Sequence, residues 1–257
     1  MSAHVDLSFE GPVARITLRR ADKLNALDRA MIVALADTAE SIEASKEARV
    51  AILYGEGKAF CAGGDIAAWG SLPPLDMWRD WTRLGHRAFE KLARLRTPLI
   101  AALTGHAFGG GLELAAVADI RIAERGIKMG LPETGLAMAP GWSGTQRLVR
   151  RFGASVVRRM SLGGAMFTAD EALALGLVDE VVEPGAGLTR AEALAADVAA
   201  RGPLAVQMVK AMINTAEGED ADAPIEGLAG ALTAMTQDLA EGVAAFRAKR
   251  PAKFAGQ

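Results

Sequence analysis

Cysteine is almost missing from this chain. Cys61 is the only one among 257 residues, so neither an intramolecular disulfide nor a cysteine-cluster zinc site can be built. A reducing, cytoplasmic compartment is therefore expected, with Cys61 as a small packing residue. Histidine is scarce too: three residues, at 4, 86 and 106, share no metal-ligand spacing, and His4 and His86 read as surface residues. No metal is expected. An excess of either charge is also lacking. The 29 Lys+Arg against 31 Asp+Glu leave a net charge of −2, which argues against a nucleic-acid binder held by bulk charge. No stretch reaches the roughly 18 uninterrupted apolar residues of a membrane span. Even PLIAALTGHAFGGGLELAAVADI is broken by His106, several glycines and Glu113. The opening MSAHVDLSFE has neither the basic nor the apolar region of a signal peptide, so a soluble protein is expected. What the chain does have is 51% apolar and 23% charged residues, the mix of an ordinary globular protein. At this length, one α/β domain with an appendage or two domains fit equally well.

Residues 4 to 10 and 13 to 19 alternate apolar and polar around Gly11-Pro12, predicting a β-hairpin. Asp28 is placed to cap an amphipathic helix running to about Lys46, with Met31, Ile32, Leu35, Ala39 and Ile42 at helical spacing. A buried strand at 50–54 then leads into the glycine-rich GEGKAFCAGGD. A helix at 77–95, a strand at 99–103, a second glycine-rich loop (TGHAFGGG) and a helix from about Leu112 repeat this grammar. Short strands are expected at 119–123 and 127–129. Strand, glycine loop and helix recurring in this way imply a layered α/β sheet with helical crossovers. Beyond Gly141 the pattern turns helical, with 178–182 the one convincing strand. Two helices over 189–216 divide at Gly202-Pro203, and at least one more occupies 225–247. The tail GVAAFRAKRPAKFAGQ is basic, which reads as a solvated run.

Two loops, Ala62-Gly63-Gly64 and Gly109-Gly110-Gly111, stand where a strand ends and a helix begins. The first N–H groups of a helix lack partners there, and without side chains a ligand oxygen can approach them. The pair could form a two-donor oxyanion hole, or each could be no more than a tight turn. Glu113 lies one turn into an apolar segment, where it either compensates the helix dipole or does chemistry. Glu133 follows a proline in a loop poor in other charges. Two carboxylates in apolar surroundings suit general acid and base work, because burial raises their proton affinity. Ser143 in PGWSGT is not in a G-x-S-x-G elbow, and the glycines of GHAFGGG do not fit G-x-G-x-x-G.

The blocks KAFCAGGDI, PLIAALTGHAFGGGLELAAVADIRIA, LPETGLAMAPGWSGTQRL and FTADEALALGLVDEVV occur in order. Together they resemble the crotonase superfamily, most closely its enoyl-CoA hydratase branch, over nearly the whole chain. That resemblance implies an α/β fold, a crotonase-like spiral of ββα units over residues 1–195. A helical region at 196–257 would then serve oligomerisation, as trimer or hexamer, and contact CoA. It implies reversible addition of water across the 2,3 double bond of a 2-enoyl-CoA. The N–H groups of Ala62 and Gly110 would form the oxyanion hole, Glu113 would help activate water, Glu133 would protonate C2, and Gly141 would help hold the water. Lys23, Leu24, Ala26, Asp65, Phe246 and Lys249 correspond to CoA contacts. CoA is part of the substrate, so no cofactor is expected.

The sequence departs from that pattern at Trp142, where many hydratases carry a small residue. Trp69, Trp78 and Trp81 fall in the variable segment after the first glycine loop. Trp69 and Trp142 could shape the acyl pocket, or these indoles could simply pack the core. An enoyl-CoA isomerase or other acyl-CoA enzyme of the same superfamily is the nearest alternative. A CoA-binding assembly protein without turnover is a second.

Overall fold

In the computed structural model, which describes residues 4–220 and 223–257, the alternation at the start of the chain becomes a hairpin. Strands β1 (Val5–Glu10) and β2 (Val13–Leu18) pair antiparallel with Glu10 opposite Val13. From there the chain builds two sheets at once. β3 (Val50–Gly55), β5 (Leu99–Leu103), β7 (Ile120–Glu124) and β10 (Glu180–Val182) join the hairpin in a six-stranded sheet ordered β1-β2-β3-β5-β7-β10, parallel from β2 onward. β4 (Ala59–Cys61), β6 (His106–Phe108), β8 (Lys128–Gly130) and β9 (Met166–Thr168) form a second, with β9 antiparallel. Each repeat thus lays one strand in the first sheet, a three-residue strand in the second, and then turns into helix.

Packing explains the near-continuous apolar strands. The first sheet is covered on both faces. Val50, Ile52, Ile100, Ala102 and Ile122 meet Ala191, Ala195 and Ala199, a small-residue stripe on helix Gly187–Ala199. The alternate residues Ala51, Leu53, Leu99, Ala101, Leu103 and Ala123 face the main core, with helices Arg29–Ala44 and Arg83–Ala93. Asp28 accepts the Met31 N–H at 2.8 Å, the cap expected from the sequence.

Several expectations shift. The helix anticipated at 77–95 opens with a π-turn, Met77–Thr82, before regular helix Arg83–Ala93. The helix anticipated from about Leu112 is Gly110–Ala115. β9 precedes the strand expected at 178–182, so that strand is not alone in the second half.

The chain divides into two compact units, Met1–Lys210 and Ala211–Gln257. The sheets lie in the first. In the second, helices Ala223–Ala234 and Gln237–Arg247 follow one another, with Thr236 capping the latter. The tail is tied down rather than free: Asp238 accepts the N–H groups of Ala255 and Gly256, and Glu241 pairs with Arg250 at 2.6 Å.

Candidate active site

The two glycine loops meet at the end of the second sheet. A Cβ on Gly63 would come within 3.1 Å of the Gly110 nitrogen, so the loops touch backbone to backbone. Gly109 turns the chain at φ +55° and ψ −126°, which a side chain disfavours, and a Cβ there would lie 2.8 Å from Glu133 Oε1. That close approach lets Glu133, arriving after β8, reach the start of helix Gly110–Ala115. Both loops line one cavity with a volume of about 130 Å³, together with Glu113, Glu133, Gly141 and Trp142.

Which amides are available is decided by long-range bonds. The Ala62 N–H donates to the Leu24 carbonyl at 3.0 Å. Ala62 lines the cavity, but its N–H is engaged elsewhere and does not meet the free-donor expectation. In the same loop, Leu27 N–H donates to the Gly63 carbonyl and Asp65 N–H to the Leu27 carbonyl. This bridge skips the Gly64 amide. Among the described residues no group accepts the N–H of Gly64 or of Gly110, and both residues line the cavity.

Glu113 is 2% exposed. Its Oε1 accepts two backbone N–H groups, from Trp142 at 2.8 Å and Gly144 at 2.7 Å. The residue between them, Ser143, sits at φ +70°, a left-handed conformation that costs an L-residue about 1–2 kcal/mol. Burial pushes the Glu113 carboxyl up to about 7; the two amides and buried Arg147 oppose the rise, and Glu133 adds to it. Glu133 is also raised, by burial, and its buried Oε2 has no hydrogen-bond partner among the described residues. The same cavity thus holds a carboxyl clamped by two amides and a carboxyl with one buried oxygen left unpartnered.

Three indoles close one side. Trp142 is 3% exposed and packs against Trp81 and Phe89 with ring centroids 5.3 and 5.4 Å away. Trp69 donates from Nε1 to the Gly64 carbonyl at 3.2 Å. A Cβ on Gly64 would meet all three indoles between 3.1 and 3.3 Å. Trp69, Trp81 and Trp142 line the cavity, whereas Trp78 is 60% exposed.

Lys23, Leu24, Ala26 and Asp65 lie outside the cavity lining, on a segment stitched to the first glycine loop. Leu24 and Asn25 both have positive φ, at 52° and 54°. Buried Asn25 holds that turn, accepting from Arg20 N–H and donating to the carbonyls of Glu56 and Ala59. Lys23 and Leu24 are exposed. The Asp65 carboxylate is engaged by Arg20 at 2.7 Å and by the Ala67 N–H. Phe246 and Lys249 are exposed in the second unit. His86, read as a surface residue, makes a 2.5 Å hydrogen bond to the Ser143 hydroxyl. No spacing in the sequence signals that contact. The apolar lining residues Met77, Leu136 and Met138 also carry no sequence signature. Among the described residues no group of three or more His, Cys, Asp or Glu is arranged to hold a metal ion.

Comparison with known proteins identifies the family that shares this pair of sheets. The chain belongs to the enoyl-CoA hydratase/isomerase family, the crotonases, whose pattern matches residues 8–257. It is 35% identical over 254 residues to crotonyl-CoA hydratase of Syntrophomonas wolfei, covering 98% of this chain and 97% of that protein. It is 41% identical over 249 residues to a putative enoyl-CoA hydratase/isomerase, YngF, of Bacillus subtilis, covering 95% of each. The crystal structure of an enoyl-CoA hydratase from Bacillus anthracis superposes with a TM-score of 0.81 at 32% identity, over 99% of this chain and 100% of that one. The fold is the α/β crotonase fold.

Proposed function

We propose that this crotonase hydrates a 2-enoyl-CoA thioester, reversibly, adding the water oxygen to C3 and a proton to C2. The observation that carries this reading is the meeting, in one cavity, of two unpartnered glycine amides and two glutamates of raised proton affinity. The Gly64 and Gly110 N–H groups would bind the thioester carbonyl oxygen and stabilise the enolate as negative charge develops on it. This assigns the first donor to Gly64 rather than Ala62. Polarisation makes C3 electrophilic.

The roles of the two acids follow from their surroundings. Glu113 accepts two N–H groups, which oppose the rise that burial causes and fix the position of its carboxyl, so it would serve as the base that takes a proton from water. Glu133 has a buried, unpartnered oxygen, which favours the protonated form, so it is the acid that delivers a proton to C2. One proton moves to Glu113 as another leaves Glu133, and exchange with solvent restores both. Gly141, which lines the same cavity, would help hold the water.

The indole wall of Trp69 and Trp142 suits a short or flat acyl group. For CoA, the exposed Lys23 and Leu24 with nearby Ala26 are the contacts proposed in the first unit. Asp65 would act there mainly by fixing Arg20. Phe246 and Lys249 are proposed to reach CoA on a neighbouring copy in a trimer or hexamer, with 1–195 as catalytic core and 196–257 as the oligomerisation region.

The test is loss of conjugated-thioester absorbance with crotonyl-CoA and longer, branched and aromatic enoyl-CoAs. Hydration by the native chain, with large rate losses in Glu113→Gln and Glu133→Gln, is the expected result. A shift of the double bond without addition of water would indicate an isomerase instead. Binding of CoA thioesters without any turnover would refute both.

A further inference from the structure

Helix Arg83–Ala93 and the turn after Pro140 meet residue against residue. A Cβ on Gly141 would lie 3.8 Å from Thr82 Cγ2, and a Cβ on Gly85 would lie 2.2 Å from Trp142 Nε1. The Ser143 hydroxyl is 2.5 Å from His86 Nδ1. Positions 82, 85 and 86 share one face, so three consecutive residues of the turn rest on it. The other ring nitrogen, His86 Nε2, reaches Glu90 Oε1 at 3.1 Å, one helical turn further on. In the neutral tautomer that satisfies both contacts, Nδ1 accepts from the serine hydroxyl and Nε2–H donates to the carboxylate.

The serine's backbone gives this chain of contacts its consequence. Ser143 lies between the two residues whose N–H groups converge on Glu113 Oε1. Those amides can meet one oxygen only while the intervening residue keeps its φ of +70°. Glycine adopts that conformation readily, but serine does so only under restraint. The imidazole supplies the restraint.

We propose that His86 is a positioning residue: the Glu90–His86–Ser143 chain holds the 142–144 turn in the conformation that aims two amides at Glu113. The inference rests on the reading of Glu113 as the base. None of the three residues lines the cavity, so they act on the reaction through the turn they hold and not by touching the substrate.

The experiment combines steady-state kinetics with amide-proton NMR on the full chain. His86→Phe keeps an aromatic ring and removes both nitrogens. It is expected to lower kcat on an enoyl-CoA by about 10- to 100-fold, the scale of a small misplacement of a reacting group, with KM changed by less than about 2-fold. The Trp142 and Gly144 amide protons should move upfield as their bonds to the carboxylate lengthen. Ser143→Ala should reproduce both effects without touching the helix, which keeps the test open if His86→Phe does not fold. In a Ser143→Gly background, His86→Phe should change kcat by less than about 3-fold, because glycine keeps the turn unaided. Full activity in His86→Phe, or equal losses in both backgrounds, would overturn the proposal. If the native chain hydrates no thioester, the proposed activity fails, and the amide shifts alone then decide: unchanged shifts in both single variants would refute the restraint.

Discussion

Replacing Glu113 by Gln should make the protein more stable as pH rises, while removing its activity. The Glu113 carboxyl stands at about 7 against an ordinary 4.5 because it is buried. Below pH 4.5 both the folded and the unfolded chain hold the proton, and the site costs nothing. Between pH 4.5 and 7 the unfolded chain releases a proton that the folded chain retains, so the balance moves toward unfolding. Above pH 7 the loss is complete, and the displacement corresponds to about 3 kcal/mol. Glutamine accepts the same two amide bonds without titrating. Wild type should therefore lose about 3 kcal/mol relative to Glu113→Gln between pH 4.5 and pH 8, or roughly 6–12 °C in Tm for a chain of this size. Thermal and urea unfolding of both proteins at matched concentration across that range gives the comparison. Parallel pH profiles, differing by less than about 1 kcal/mol, would mean that the buried carboxyl carries no such strain.

Other perturbations follow from the same packing. Gly85→Ala drives a methyl group to 2.2 Å from an indole that Trp81 and Phe89 box in, so it should cost about 1–3 kcal/mol in urea unfolding; an unchanged midpoint contradicts the contact. Trp142→Leu opens the indole wall of the cavity while leaving the backbone amide to Glu113 in place. Each methylene newly accommodated should gain about 0.8 kcal/mol, or roughly 4-fold, in kcat/KM, read as the octenoyl-to-crotonyl ratio, and an unaltered ratio would remove Trp142 from the acyl site. Asn25→Ala strips three hydrogen bonds made by a fully buried side chain and should destabilise by about 1–3 kcal/mol or more; stability within about 0.5 kcal/mol of wild type would show that the turn holds without it.

Strands β1, β2, β3, β5 and β7 and the long helices are legible because they are long enough to show a period. β5 falls on the expected residues 99–103, and the Asp28 cap is a local signal. Of the second sheet only β8 is legible, as the strand expected at 127–129. Three-residue strands such as Ala59–Cys61 and His106–Phe108 are too short to alternate, and their glycine-rich neighbours read as loops. Glu113 and Glu133 stood out because a carboxylate in an apolar segment is costly. The engagement of the Ala62 amide depends on Leu24, far away in sequence, and no local pattern reports it. His86 reads as a surface residue for a similar reason: its partner lies 57 residues further along, and the π-turn before the helix alters the helical register there. Trp81 and Trp78, equivalent by composition, end on opposite sides of that turn, one buried and one exposed.

A crystal structure with a saturated acyl-CoA bound would test the central claim most directly. The thioester oxygen is expected within hydrogen-bonding distance of both the Gly64 and Gly110 nitrogens, with the carboxyl groups of Glu113 and Glu133 at C3 and C2. A thioester oxygen held by other donors, or an acyl chain lying away from both glutamates, would contradict it.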